Sequence, residues 1–187
     1  MQGTEGSFVG NDFSLIDPVS CGEDIFHNLR RVASLAPTLC DGCADYHIAN
    51  AAVRLLHNSP WNRGARLALS EAVAPIFSEL SKTRDSRIDA VVAASADTAV
   101  LSLLAHSAAV HGPGFADRMR FTVVDKCRTP LVLCEDYAAH HRLGIETACL
   151  DLCGTRQVFP ADFIVLHNLL PFIPPERHVG LLRMLAS

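Results

Sequence analysis

The chain has 187 residues, of which 49% are hydrophobic and 19% are charged, and its formal net charge at pH 7 is −4. This length and apolar content predict a folded domain with a buried core and exclude a disordered chain. The basic residues are scattered, so we expect no nucleic-acid partner, and the longest apolar run, residues 99–110, is too short to cross a membrane.

The N-terminus and the cysteines bear on where the chain works. The opening sequence MQGTEGSFVGNDF has neither a basic nor an apolar segment, so it does not have the pattern of a signal peptide. The seven cysteines are an odd number, which favours reduced thiols over a set of disulfides. We therefore expect a cytoplasmic protein.

Helical periodicity dominates the first half of the chain. Apolar residues recur every three to four positions over residues 23–36, which predicts a helix that Pro37 is expected to end. The same periodicity returns after Asp45, which is a suitable N-cap for a second helix. Residues 59–64, SPWNRG, are typical of a helix breaker, and a third helix is predicted over residues 66–81. These helices are expected to form an N-terminal lobe, or lid.

The pattern changes after the polar segment KTRDSR. Short apolar strands then alternate with helices, which is the sequence pattern of right-handed βαβ units and a parallel sheet. The strands are predicted at residues 88–94, 121–124, 145–150 and 163–166, and the helices at 97–110, 129–143 and 174–184. The predicted fold is α/β, with a helical lobe at residues 1–86 and a partial Rossmann-like, mostly parallel sheet of about four strands at residues 87–187.

The carboxyl ends of the predicted strands carry small and polar residues. Ligands of open parallel sheets bind at this edge. The residues delivered there are Ala93, Ala94, Ser95, Ala96 and Asp97 after the first strand, Asp125 after the second, Asp151 after the third, and His167 and Asn168 after the fourth. Small residues allow a ligand to approach the backbone, Asp125 is positioned to accept hydrogen bonds from both hydroxyls of a ribose, and Asp151 from an exocyclic amine. The pattern predicts an adenosine site.

The first turn indicates which adenosine ligand the site takes. It has neither GxGxxG nor GK[ST], so dinucleotide phosphates and nucleoside triphosphates lack their glycine cradle. It carries Asp97 instead, whose charge would repel a phosphate at the start of the next helix. A sulfonium ligand has no phosphate and tolerates a nearby acid, which favours S-adenosylmethionine over NAD.

The segment from Arg87 to Leu185 resembles class I S-adenosylmethionine-dependent methyltransferases. The resemblance lies in IDAVVAASADTAVLSLLA, in FTVVD followed by KCRTPLVLCEDYA, in IETACLDL and in DFIVLHNLLPFIPPERHVGLLRMLA. It implies contacts to S-adenosylmethionine or S-adenosylhomocysteine along Ala93–Asp97, to ribose at Asp125, to adenine near Lys126 and at Asp151 and Leu152, and to the methionyl group or substrate near His167.

The chain departs from that family in two respects. Glycines are usual in the family's first turn, where this chain has Ala94, Ser95 and Ala96, and an alanine is expected to fit there only with a negative φ. The family has seven strands, whereas this sequence resembles a truncated form that stops after the helix following strand four. Strand four would then be an open edge, covered by a second copy in a homodimer, by a partner chain or by the N-terminal lobe.

Further polar residues are candidates for the reaction itself. His167 and His47 are predicted to accept a proton from the methyl acceptor, and Tyr46, His47 and Asn168 to contact it. Cys40, Cys43 and His47 form C-x2-C-x3-H, which could hold a metal with Cys21 or His27 as a fourth ligand, or could be two thiols in a turn. We assign no metal on sequence grounds.

Two functional hypotheses remain. The first is methyl transfer from S-adenosylmethionine to a small molecule, in an enzyme with no nucleic-acid or membrane partner. The second is a degenerate methyltransferase-like subunit, without catalysis, that binds a partner chain through the strand-four edge. An NAD-dependent or nucleotide-sugar enzyme is a weaker third hypothesis, because the GxGxxG motif that binds dinucleotide phosphates is absent.

Overall fold

The computed structural model of the chain describes residues 25–54, 60–154, 159–167 and 169–185. Three helices come first along the described chain: α1 (Ile25–Leu39), α2 (Ala44–Val53) and α3 (Pro60–Thr83). The predicted lobe boundary, between residues 86 and 87, falls in the loop after α3.

The bounds of these helices differ from the sequence prediction. α1 continues through Pro37, because one missing donor in a last turn leaves the neighbouring bonds intact, and the amide of Cys40 donates to the carbonyl of Ala36 at 3.0 Å. The N-cap of α2 is Cys43, and Asp45 lies inside its first turn. The predicted breaker is largely the start of α3, which opens on Pro60, a residue well suited to the first helical position.

The second half alternates strands and helices, as predicted. The strands are β1 (Ile88–Ala93), β2 (Met119–Asp125), β3 (Gly144–Cys149) and β4 (Phe163–Leu166), and the helices are α4 (Ala99–Val110), α5 (Pro113–Ala116), α6 (Arg128–His141) and α7 (Pro175–Leu185), with a 3₁₀ turn at Leu170–Phe172. The four strands form one parallel sheet in the order β3-β2-β1-β4, which confirms an α/β fold with a partial Rossmann-like sheet.

The strand order creates a switch point at the end of β1. β1 lies between β2 and β4, and Ala93 pairs with Val124 on one side and with Leu166 on the other. The loops that follow β1, β2 and β4 therefore begin next to one another at the carboxyl edge of the sheet, where ligands of such sheets bind. Among the described strands, β4 pairs with β1 alone, so its outer edge has no strand partner in this part of the chain.

Both faces of the sheet are buried at the central strand β1, as is usual for parallel strands, whereas the edge strand β3 is only partly covered. On one face, Val92 of β1 packs in a cluster with Phe77 of α3 and with residues of α4 and α6. On the other face, Val91 packs in a cluster that includes Leu181 of α7. A third cluster joins α1 and α2 to α6 through Val32, Ala36, Ala51 and Leu133. α1 and α2 thus pack mainly on each other and reach the sheet domain through α6, whereas α3 packs directly in the cluster of the sheet.

None of the helices that the structure describes has both the length and the apolar character of a membrane span.

Candidate functional site

A cavity of about 760 Å³ lies at the carboxyl edge of the sheet, between the loops that follow the strands and the inner face of α2. Most of the residues singled out in the sequence line it. They are Tyr46, His47, Ala94, Ser95, Ala96, Asp97, Asp125, Lys126, Asp151, Leu152 and His167. Ala93 is instead fully buried at the end of β1, where it packs in the core behind the turn. Asn168 lies outside the described residues.

The turn after β1 has a left-handed residue at its first position. Ala94 has φ of 59°, and its amide donates to the carbonyl of Val124 at 2.8 Å. The expectation of a negative φ for an alanine here was therefore wrong, because the hydrogen bond to β2 holds the backbone in the conformation that glycine prefers. An L-residue in this region carries a strain of about 1–2 kcal/mol. The turn thus keeps the backbone shape of a glycine turn without the glycine.

Asp97 is buried and fully engaged by the protein. Its Oδ1 accepts from the amide of Ala99 at 2.7 Å and pairs with Nη1 of Arg54 at 2.8 Å. Its Oδ2 accepts from Nδ2 of Asn50 at 2.9 Å. The carboxylate therefore caps the first amide of α4 and anchors α2 to the turn after β1. Arg54 balances its charge beside the cavity.

Asp125 ends β2 on the cavity wall. Its Oδ1 accepts from the amide of Cys127 at 2.7 Å, and no residue of the described chain donates a hydrogen bond to its Oδ2. Burial raises the pKa of Asp125 to about 6, although the Cys127 amide and the Lys126 ammonium act in the opposite direction. One carboxylate oxygen is thus positioned by the protein, and the other is available to a ligand.

The loop after β3 forms the next part of the wall. Leu152 is buried and presents an apolar surface, whereas Asp151 is exposed at the rim. Oδ1 of Asp151 accepts from the amide of Cys153 at 2.8 Å, which fixes the loop. The combination suits a flat apolar ring with polar groups at its edge.

The two predicted proton acceptors differ in their surroundings. His167 follows β4 and is partly buried, and burial lowers its pKa while the charge of Asp97 opposes the shift. His47 is 4% exposed, and its Nδ1 lies 3.1 Å from the carbonyl oxygen of Ala96. Burial also lowers the pKa of His47. Both imidazoles are therefore favoured in the neutral form, which can accept a proton.

Two aromatic side chains stand at the mouth of the cavity. The rings of Tyr46 on α2 and Phe172 in the 3₁₀ turn meet edge to face, with centroids 5.7 Å apart. Both are substantially exposed. Burial, together with the charges of Asp97 and Asp125, raises the pKa of Tyr46, so its hydroxyl stays protonated. The pair bridges the helical lobe and the loop after β4.

Sequence reasoning missed Asn50, Arg54 and Phe172. Asn50 and Arg54 follow His47 by three and seven residues, which places all three on one helical face, so the sequence already contained this polar stripe. Phe172 lies in the segment LLPFIPP, where a single exposed aromatic gives no comparable signal.

The C-x2-C-x3-H motif gains a fourth member in the structure. The donor atoms of Cys40, Cys43, His47 and Cys127 all lie within 4.8 Å of one another. Cys21 lies outside the described residues, as does the side chain of His27, so the structure gives no position for either predicted fourth ligand. Cys127, at the N-cap of α6, was not singled out as a ligand in the sequence.

Comparison with known proteins gives no assignment: the chain matches no family model, no curated protein and no solved structure. The function is therefore inferred from the residues of the site.

Proposed function

We propose that the chain binds S-adenosylmethionine in the cavity and transfers its methyl group to a small-molecule acceptor. One observation carries the proposal. The strained turn at Ala94 and the carboxylate of Asp125 lie side by side at the end of hydrogen-bonded strands, at the switch point of a parallel sheet. Strain kept at such a position supports a role in ligand binding.

In this proposal, each part of the ligand contacts a different group of cavity residues. Oδ2 of Asp125 accepts from the ribose hydroxyls, the apolar side chain of Leu152 packs on the adenine, and the backbone of the Ala94 turn faces the methionyl group. The cavity volume of about 760 Å³ supports this assignment, since ligand pockets commonly measure roughly 300–1,000 Å³.

Charges of both signs line the cavity. Asp125 and Asp151 would attract a positively charged sulfonium, and Asp97 is paired with Arg54. Arg66, Lys126 and Arg177 line the same cavity. The choice of S-adenosylmethionine over a phosphate ligand therefore rests on the turn after β1, which has no glycine-rich phosphate loop.

In the proposed reaction, the acceptor nucleophile attacks the methyl carbon, the carbon–sulfur bond breaks, and S-adenosylhomocysteine leaves with the electron pair on sulfur. Alignment of the nucleophile with that bond supplies most of the acceleration. Where the nucleophile carries a proton, neutral His167 accepts it, with His47 as the second candidate. The seven cysteines support a reducing compartment, so we also propose that the chain works in the cytoplasm.

Calorimetric titration of S-adenosylhomocysteine into the chain tests the proposal. We expect micromolar affinity for the unmodified chain and a loss of tenfold or more in Asp125→Ala. Asp117→Ala, an exposed change in the turn before β2, is the matched control and should bind normally. A well-folded unmodified chain that fails to bind would exclude the enzyme acting alone.

A second candidate is a non-catalytic subunit that binds through the outer edge of β4. It is favoured by one observation: β4 has a strand partner on one side only within the described residues. Unpaired strand edges invite a further strand. A homodimer or heteromer by light scattering, together with no binding of S-adenosylhomocysteine, would favour this subunit; a stable monomer that binds the ligand would exclude it.

A further inference from the structure

A group of sulfur and nitrogen donors lies where the helical lobe meets the sheet domain. Cys40 and Cys43 flank the turn between α1 and α2, His47 lies in the first turn of α2, and Cys127 caps α6. The two segments are 87 residues apart in the sequence at the Cys40–Cys127 contact. Residues from separate elements therefore converge on one point.

The spacing of these donors is that of a metal site. All four donor atoms lie within 4.8 Å of one another, and the sulfurs of Cys40 and Cys127 are 3.3 Å apart. In a tetrahedral zinc site, with zinc–sulfur bonds of about 2.3 Å, neighbouring ligand atoms are roughly 3–4 Å apart. A small contraction brings all four donors onto one ion.

We propose that Cys40, Cys43, His47 and Cys127 bind a zinc ion that fastens α1 and α2 to the sheet domain. Three thiolates and one imidazole form a soft donor set, which selects zinc over magnesium or calcium. Four protein ligands close the coordination sphere, so the ion is structural and activates no water.

Groups around the donors support this assignment. The Nδ1 of His47 lies 3.1 Å from the carbonyl oxygen of Ala96, and an N–H there orients the ring and leaves the lone pair on Nε2. The buried hydroxyl of Thr129 lies 3.0 Å from the sulfur of Cys40. The second ring N–H of a metal-binding histidine usually donates a hydrogen bond to such a carbonyl, and a neighbouring hydroxyl that donates to a thiolate stabilises it.

The zinc site has a consequence for the cavity. Cys43, His47 and Cys127 also line the cavity wall, so the ion would stiffen the wall nearest to Asp125. A metal-bound His47 has no lone pair left for a proton. His167 is then the proton acceptor of the proposed reaction, although the zinc site itself does not depend on that reaction.

The test uses the full chain, purified under reducing conditions without chelators. We expect about one zinc ion per chain by mass spectrometry of the metal, and Co²⁺ substitution should give the thiolate charge-transfer and tetrahedral visible bands. Cys127→Ser should lose most of the bound metal. Cys149→Ser removes an exposed thiol outside the cluster and should keep it.

Two further measurements keep the proposal testable if Cys127→Ser does not fold. Thr129→Val should retain the ion but weaken Zn²⁺ affinity by about tenfold, as losses of supporting hydrogen bonds do. The Co²⁺ spectrum of the unmodified chain stands independently of any variant. The proposal is overturned if the reduced chain binds neither Zn²⁺ nor Co²⁺, if the cobalt bands lack thiolate character, or if the native protein has a Cys40–Cys127 disulfide.

Discussion

Asn50 donates a hydrogen bond to Asp97 across 2.9 Å, and this contact joins the second helix to the loop that follows the first strand. Arg54, the C-cap of α2 and four residues after Asn50, pairs with the other carboxylate oxygen at 2.8 Å. The helix is therefore held against the cavity by a polar contact rather than by apolar packing alone. A polar link of this kind is sensitive to the loss of either partner.

Removal of Arg54 should destabilise the chain strongly. The Arg54 and Asp97 side chains are only 14% and 6% exposed, and loss of one partner from a buried pair costs about 3–5 kcal/mol. We expect Arg54→Met to lower the free energy of unfolding in urea by about 3 kcal/mol. Arg31→Met, which breaks the exposed pair with Asp136, should change it by less than about 1 kcal/mol. Equal effects of the two changes would contradict this account.

Ala94→Gly should stabilise the chain. Glycine removes the strain of the left-handed conformation at φ of 59°, but it also raises the conformational entropy of the unfolded chain. The net gain in the free energy of unfolding is therefore about 0.5–1 kcal/mol. The neighbouring change Ala96→Gly serves as the control, because Ala96 does not have a positive φ and should lose stability. Thermal unfolding of both variants measures the difference. A loss of stability in Ala94→Gly would argue against strain at this turn.

The sheet, and the side chains that meet at its carboxyl edge, could be predicted because they depend on local patterns. Apolar strands ending in Asp125 and Asp151 are visible in the sequence, and parallel strands bring their carboxyl ends to one edge. Most errors lay at element ends, but the short helix α5 falls in a segment for which no helix was predicted. The bounds at Pro37 and Pro60 differed because a proline near a helix terminus removes few backbone hydrogen bonds, so it does not by itself mark where the helix ends or begins.

The contacts of the helical lobe could not be predicted, because they depend on how α2 docks on the sheet. The partners Asn50 and Asp97 are 47 residues apart, and Cys40 and Cys127 are 87 apart. A rotation of α2 by one residue, about 100°, would turn Asn50 away from Asp97, and the Cys40–Cys127 contact depends on how the turn before α2 docks on α6. The sequence shows each side chain but not the rotation, so the fourth cysteine and the Asp97 anchor appear only in the structure.

The buried Asp125 should make stability fall as the pH rises. Its pKa in the folded chain is about 6, against an ordinary value of 3.8, so between these values the folded state holds more protons than the unfolded state. Its contribution is fully present below about pH 4 and is lost as the pH rises through 6. Burial lowers the pKa of His167, and in the metal-free chain also that of His47, so the contributions of these histidines to stability increase as the pH rises.

Because these effects overlap, the difference between the unmodified chain and Asp125→Asn is the informative quantity. We expect that difference in the free energy of unfolding to decrease from pH 4 to pH 7, whereas the histidine contributions cancel. Urea denaturation at each pH provides the measurement. A difference that stays constant over this range would mean that the pKa of Asp125 is not raised in the folded chain.

The same carboxyl group should make ligand binding stronger as the pH rises. In the proposed site, ribose hydroxyls donate to Asp125, so the ionised form binds better. With a pKa of about 6, the ionised fraction rises from about a tenth at pH 5 to about nine tenths at pH 7, which predicts roughly tenfold tighter binding of S-adenosylhomocysteine. This ligand has no sulfonium charge, so protonation of His47 or His167 repels it little. Calorimetry at both pH values, repeated with Asp125→Asn, should show the pH dependence only in the unmodified chain; the same dependence in the variant would assign it to another group.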